Sequence, residues 1–343
     1  MFQPRYTITA KLLANIKRIA VLVAELNSKR FPSVVLFDFE RKAREISAHA
    51  STSIEGNPLP LTEVKKILKN APVHIRDTER EVLNYNKALL YLNTLAKKDV
   101  PALTIPLILK IHGMVMDGLT QKHKVGTIRQ EPVFVNDVRT RQPIYLPPDH
   151  QDTTTLMKDL LGFVTQNRHT IDPLIVAGIF HRQHVIIHPF IDGNGRSTRL
   201  ATKVLFAEMG LNTFNLFSFE NYYNNNVTKY FQNVGLVGNY YDLKETIDFT
   251  QWLEYFTAGI IDELLRVGGD LAHAAVTPRT ELKPYHQIVL TTIKKQGFIR
   301  DSDYAKLTIR ARATRNLDFR KLIELDLIER QGKGRGAYYV FKK

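Results

Sequence analysis

Residues 188–199 read His-Pro-Phe-Ile-Asp-Gly-Asn-Gly-Arg-Ser-Thr-Arg and constrain the fold of this chain more than any other stretch. They settle where one helix must stop and the next must start. The apolar run 173–187, PLIVAGIFHRQHVII, has the length and spacing of a helix. Pro189 disfavours the α region for the residue before it, so that helix should end near His188. Gly193 and Gly195 flank Asn194, a composition suited to positive φ and to a nest of backbone N–H groups. The segment RSTRLATKVLFAEMG then resumes helical spacing, with Leu200, Val204, Leu205 and Met209 on one face and Gly210 as the stop. A nest that opens a helix is an anion site.

Arg196 and Arg199 fall in the first turn of this second helix, where the macrodipole is positive and each cation costs roughly 0.3–1 kcal/mol. An anion should offset them. A polyphosphate fits: the nest takes one phosphate, the arginines fork onto others, and Asp192 holds a magnesium ion that bridges phosphate oxygens. His188 is then the base that removes a proton from an attacking hydroxyl. Other readings of the same residues are an ordinary Asp-Gly-Asn-Gly turn, the start of a calcium loop, and a zinc site on His181, His184 and His188. The calcium reading lacks the later acidic ligands, and the zinc reading lacks a metalloprotease glutamate and any cysteine.

The string resembles the signature loop of Fic-domain proteins, His-Pro-Phe-x-Asp/Glu-Gly-Asn-Gly-Arg-x-x-Arg, at all of its specified positions. The resemblance implies transfer of AMP from ATP, with Mg²⁺, to a hydroxyl side chain of a target protein, and release of pyrophosphate. It implies His188 as general base, Phe190 as the anchor of the loop in the core, and Asp192 as the metal ligand. The nucleotide is then held by Asp192, Gly193, Asn194, Gly195, Arg196, Ser197, Thr198 and Arg199. Glycine at 195 favours nucleotidyl transfer, since relatives acting as protein kinases carry a bulkier residue there.

Upstream, RKAREISAHASTSIEGNPLP begins as a helix that Gly56, Asn57 and Pro58 halt, so Glu55 should be its last residue. A carboxylate at that end meets the negative pole of the dipole, the mirror of the misfit at Arg199. Pairing the two offsets both, with Ser51 one turn earlier on the same face. The segment Ser51 to Gly56 resembles the inhibitory motif, Ser/Thr-x-x-x-Glu-Gly/Asn, of Fic proteins that carry it before the core. That resemblance implies a Glu55–Arg199 pair that blocks the γ-phosphate and leaves the enzyme weakly active. It also implies an alternative, AMP removal assisted by Glu55.

Between the motifs, GTIRQEPVFVNDVRTRQPIYLPP reads as a β-hairpin over 133–146. The family uses such a flap, near Val135 and Asn136 here, to register a target segment. Tyr222 and Tyr223 lie on a further expected helix and suit adenine contact.

At 343 residues and 44% hydrophobic content the chain has room for several domains. We expect a mainly α protein: an N-terminal helical region (1–100) carrying the inhibitory motif, a Fic helical-bundle core (101–265), a linker (266–283) and a winged helix-turn-helix (284–343). Charged interruptions at Lys17 and Arg18 argue against a signal peptide or membrane span, and a cytoplasmic protein is the default expectation. The absence of cysteine excludes disulfides. Of the net charge of +14, residues 281–343 hold +8, with 15 Lys and Arg against 7 Asp and Glu. Arg312, Thr314, Arg315 and Asn316 on the expected recognition helix, with Lys333 and Arg335 on the wing, suit duplex DNA. A docking or dimerisation module is the other reading of that tail. A DNA-binding regulator with a nucleotide-sensing core stands as the alternative from another class, and self-modification and a homodimer fit the family as well.

Overall fold

A computed structural model describes the chain except residues 1, 29–32, 97–101, 138–139, 141, 209–216, 274–281, 326, 333 and 343. The described residues are mainly α-helical. The helices are α1 (Ala10–Ser28), α2 (Ser33–Ile54), α3 (Leu61–Lys69), α4 (Asp77–Ala96), α5 (Ile105–Val115), α6 (His150–Asn167), α7 (Pro173–Ile187), α8 (Asn194–Glu208), α9 (Phe219–Asn225), α10 (Val227–Val234), α11 (Tyr240–Leu243), α12 (Thr250–His273), α13 (Pro284–Gln296), α14 (Asp301–Leu307) and α15 (Arg312–Glu324). The strands are β1 (Val135–Asn136), β2 (Pro143–Leu146), β3 (Gly238–Asn239), β4 (Ile328–Gln331) and β5 (Tyr338–Phe341). No described helix is long and apolar enough to cross a membrane. The chain forms two compact units, one of Met1–Ser28 with Lys42–Gly268, the other of Lys29–Arg41 with Gly269–Lys343.

In the first unit α7 is the central helix. Pro173 sits at its first turn and Asp172 caps it, accepting from the Leu174 N–H at 2.9 Å. Twelve of its fifteen residues are buried, so it is apolar on every side and needs neighbours all round. It packs on α6 and α8, and against α12 the lack of a side chain at Gly178 lets Leu253 and Phe256 approach. Trp252 of α12 donates to the Gly178 carbonyl at 2.7 Å. The hairpin pairs β1 and β2 antiparallel, with Val135 opposite Tyr145, and β3 lies parallel on the other side of β2. The first strand is shorter than the sequence suggested, because pairing is irregular between Val135 and Asn136.

The second unit orders α13, α14, α15, β4 and β5 as expected of the tail, with β4 and β5 antiparallel and Ile299 bridging to Tyr339. In α15 the inward side chains are Phe319, which stacks on Tyr339 at 3.9 Å, and Leu322, while Leu317 is 57% exposed. One expectation changes. The expected linker is helical at its start, since α12 continues to His273. Residues 33–41 belong to this unit too, with Phe37 5.5 Å from Phe341.

Candidate active site

α7 ends at His188, whose backbone is left-handed with φ 52° and ψ 60°. The sequence excluded right-handed α before Pro189, and this conformation satisfies that restriction at a strain cost of order 1–3 kcal/mol. Three contacts hold it. The His188 N–H donates to the His184 carbonyl at 3.1 Å, and the ring Nδ1–H donates to the Val185 carbonyl at 3.1 Å. Arg129 Nε donates to the His188 carbonyl at 2.8 Å, while the Arg129 N–H donates to Pro189. A carbonyl only accepts, so Nδ1 carries the hydrogen and Nε2 keeps its lone pair. Burial pulls the ring down to about 4, so it is neutral near pH 7.

The rest of the loop is clamped from within. Phe190 is fully buried and its ring stacks on His112 at 3.8 Å. His112 accepts from the Gly126 N–H at Nδ1 and donates from Nε2 to the Asp192 carbonyl at 3.0 Å. Asn194 uses both ends of its amide on the Phe190 backbone, at 2.9 and 2.8 Å. Gly193 alone in the loop's glycine pair has positive φ, 75°; Gly195 is already helical. The first three N–H groups of α8, from Asn194, Gly195 and Arg196, have no intrahelical acceptor, and Gly195 is half-exposed above them. The loop thus turns into α8 through one left-handed residue, Gly193, where the sequence suggested two glycines in a nest.

The second arginine of the loop is fully buried. Arg199 Nε donates to Ser51 Oγ at 2.8 Å, and Nη2 donates to the Ser51 carbonyl at 2.9 Å and to Glu55 Oε1 at 2.5 Å. Burial opposes its charge, yet Glu55, Tyr230 and Tyr85 raise it above its usual range. A Cβ on Gly195 would lie 2.2 Å from Glu55 Oε1, so the carboxylate lies over the open end of α8. Arg196 donates to Glu81 Oε1 at 2.5 Å and to Asp192 Oδ1 at 3.1 Å. The Asp192 carboxylate is 63% exposed, and its Oδ1 also takes the Gly193 N–H. Its other oxygen meets no donor among the described residues, which fits a hard cation such as Mg²⁺ held with few protein ligands.

Some expected site residues face elsewhere. Ser197 is fully buried with Oγ unpartnered, and Thr198 Oγ1 donates to the Asn194 carbonyl and accepts from His184 Nδ1 at 2.7 Å. Both side chains are buried in the core, and the bond to His184 sets Thr198 against α7. Tyr223 is fully buried, stacked on Tyr230 at 4.5 Å, so it offers no ring face to an adenine. Tyr222 is half-exposed beside Gly259 and Tyr255. His181 and His184 are fully buried and bond to Thr202 and Thr198, and no group of three metal-ligating residues occurs among the described residues. On the tail, Arg315 is tied to Asp301 at 2.8 and 2.9 Å and to the Arg310 carbonyl, so it stabilises α15 instead of facing outward. Arg312 and Asn316 are exposed and Thr314 is half-buried. Lys333 lies outside the described residues, and Arg335 is described only as backbone in a short 3₁₀ turn.

His112, Arg129, Glu81 and Asn57 were missed in the sequence. The first three meet the loop from at least 59 positions away and Asn57 reaches it through Glu81, with no local pattern that marks any of them.

Residues 102–206 match the Fic/DOC family model. The protein adenylyltransferase fic-1 of Caenorhabditis elegans is 31% identical over 183 residues, 52% of this chain and 34% of that protein. The protein adenylyltransferase Fic of Culex quinquefasciatus is 29% identical over 220 residues, 59% of this chain and 42% of that protein. The chain thus spans less than half the length of these curated relatives. Among solved structures, a Fic family protein from Desulfovibrio desulfuricans shares the fold with a TM-score of 0.65 at 22% identity, covering 99% of this chain and 98% of its own. Fic-1 of C. elegans aligns with a TM-score of 0.61 at 23% identity, over 78% of this chain and 74% of that one. The loop that ends α7 and opens α8 therefore lies within residues 102–206, the stretch that matches the Fic/DOC family model.

Proposed function

We propose that this chain is an autoinhibited protein adenylyltransferase. His188 Nε2 takes the proton of a Tyr, Thr or Ser hydroxyl on a target protein or on this chain itself. The hydroxyl oxygen bonds to the α-phosphorus of ATP, and the phosphorus–oxygen bond to the leaving pyrophosphate breaks. The open N–H groups of α8 take a phosphate, and Arg196 and Arg199 answer the remaining charge. Asp192 would hold Mg²⁺, which supplies charge neutralisation on the phosphates. The flap at Val135 and Asn136 offers a strand edge to the target segment. Tyr222 stays a candidate for the adenine.

The observation that carries this reading is the Glu55 carboxylate on Arg199 above Gly195, where an anion would otherwise sit. Glu55 is in this view the inhibitor, and Ser51 orients the arginine beside it. The Glu55→Gly variant should incorporate labelled AMP from ATP and Mg²⁺ faster than wild type, and adding His188→Ala should abolish the signal. Equal or lower labelling in Glu55→Gly would sink the proposal; loss of AMP from pre-labelled target by wild type alone would assign Glu55 to AMP removal.

We further propose that the tail binds duplex DNA through Arg312 and Asn316, which are exposed on the first turns of α15. Affinity should fall steeply with salt and drop in Arg312→Ala/Asn316→Ala. No binding at low salt would leave the tail as a docking or homodimer module.

A further inference from the structure

Each arginine of the loop is held by a carboxylate, and both carboxylates answer to one turn. Glu55 meets Arg199 directly. Two residues on, Asn57 is buried at the same turn, where Gly56 has φ 95° and the Asn57 N–H donates to the Thr52 carbonyl at 3.1 Å. Asn57 Nδ2 donates to Glu81 Oε2 at 2.6 Å and to the Thr78 carbonyl at 2.9 Å, and its Oδ1 accepts from the Leu59 N–H. The other oxygen of Glu81 accepts from Arg196 at 2.5 Å. The Arg196 guanidinium is 6% exposed, has its second arm on Asp192, and keeps Nε buried without a partner. It is therefore neutralised twice and presents no free edge to a phosphate.

A carboxylate held at one oxygen can swing; held at both it is a fixed ligand. Asn57 supplies the second hold, and burial of Glu81 makes its alternatives without these partners costly. The path Arg199–Glu55–Gly56–Asn57–Glu81–Arg196 joins the two arginines through the turn.

We propose that this turn restrains both arginines: Asn57 is a positioning residue that keeps Glu81 on Arg196, a second clamp beside the Glu55 contact. The inference rests on the autoinhibited adenylyltransferase reading and extends it to a residue outside the Glu55–Arg199 pair. Undocking the turn would release two cations together for a triphosphate, so nucleotide binding and relief of inhibition are linked at two contacts.

The test uses the full chain and two readouts, affinity for a non-hydrolysable ATP analogue with Mg²⁺ and initial rate of labelled AMP incorporation. Asn57→Ala should tighten the analogue about tenfold, the weight of one charge-assisted hydrogen bond, and raise incorporation. Glu81→Gln, which keeps shape and removes charge, should tighten it as well and serves if Asn57→Ala fails to fold. In a Glu55→Gly background, Asn57→Ala should tighten binding further, because the second clamp acts on Arg196. Analogue affinity unchanged in both single variants overturns the proposal, as does a gain from Asn57→Ala that disappears once Glu55 is glycine. If Glu55→Gly itself fails to raise incorporation, the autoinhibition reading fails instead, and the binding data still judge the clamp.

Discussion

At the residue scale the site is governed by neutral histidines in a dry interior. His112 is lowered to about 4, His184 to about 3 and His188 to about 4, each chiefly by burial, and His181 is lowered as well. In the unfolded chain a histidine titrates near 6.5. Below that value the unfolded state binds a proton that the folded state refuses, so stability falls as pH drops from about 6.5 toward the folded values. The slope is about 1.4 kcal/mol per pH unit for each such histidine. His184 tests this cleanly, since its Nδ1–H goes to Thr198 and its Nε2 is buried without a partner. Urea unfolding of His184→Leu at pH 7, 6 and 5 should show a dependence on pH shallower by one proton than wild type. An identical slope would mean that His184 takes up a proton in the folded state. The sequence displayed the His181, His184 and His188 spacing plainly, but whether such a row binds metal or packs depends on what surrounds it. The answer is Thr198, Thr202 and a ring of aromatics.

Among the elements, the α7–loop–α8 unit was the most legible. Its boundaries follow from Pro189, the Gly193 turn and the apolar periodicity, which act within a few residues and so can be read locally. The flap hairpin followed in the same way from alternating residues on either side of a polar segment. What periodicity did not disclose was which helix lies against which. Gly178 is one consequence. A Cβ there would lie 2.6 Å from Leu253 Cδ2 and 3.1 Å from Phe256 Cδ1, both in α12. The Gly178→Val variant should lose about 1–3 kcal/mol by overpacking, seen as a lower thermal midpoint. An unchanged midpoint would show that α12 gives way without cost. In α15 the helix was expected correctly, yet its inward face turns on Asp318, Phe319 and Leu322, because Arg310 and Tyr304 bond Asp318 from one side.

On the scale of the whole molecule, charge is distributed unevenly between sequence regions, and the structure removes part of it from use. Asp301 and Asp318 pair with Arg315 and Arg310 within the tail, so these two arginines are not among the cations a nucleic acid could meet, while the net +8 of residues 281–343 already counts both pairs. The DNA proposal thus has an internal control. Arg315→Ala should lower the stability of this unit more than its DNA affinity, while Arg312→Ala/Asn316→Ala should do the reverse. The opposite pattern would return Arg315 to the recognition set. Compact units also ignore chain order here: residues 33–41 join the tail region, a grouping that composition and punctuation did not announce.

By itself the sequence determined the helix exit at His188, the start of α8 just beyond the Gly193 turn, and a pairing of Glu55 with Arg199 expected from opposite dipole misfits. These rest on local sterics and on charge, which the chain carries wherever it goes. Only the tertiary structure decided that Asn194, Ser197 and Thr198 turn inward, that Tyr223 is core, and that His112, Arg129, Glu81 and Asn57 hold the loop in place. The contacts of His112, Arg129 and Glu81 join side chains across 59 to 115 residues of chain, and helix packing sets such meetings where local pattern is silent.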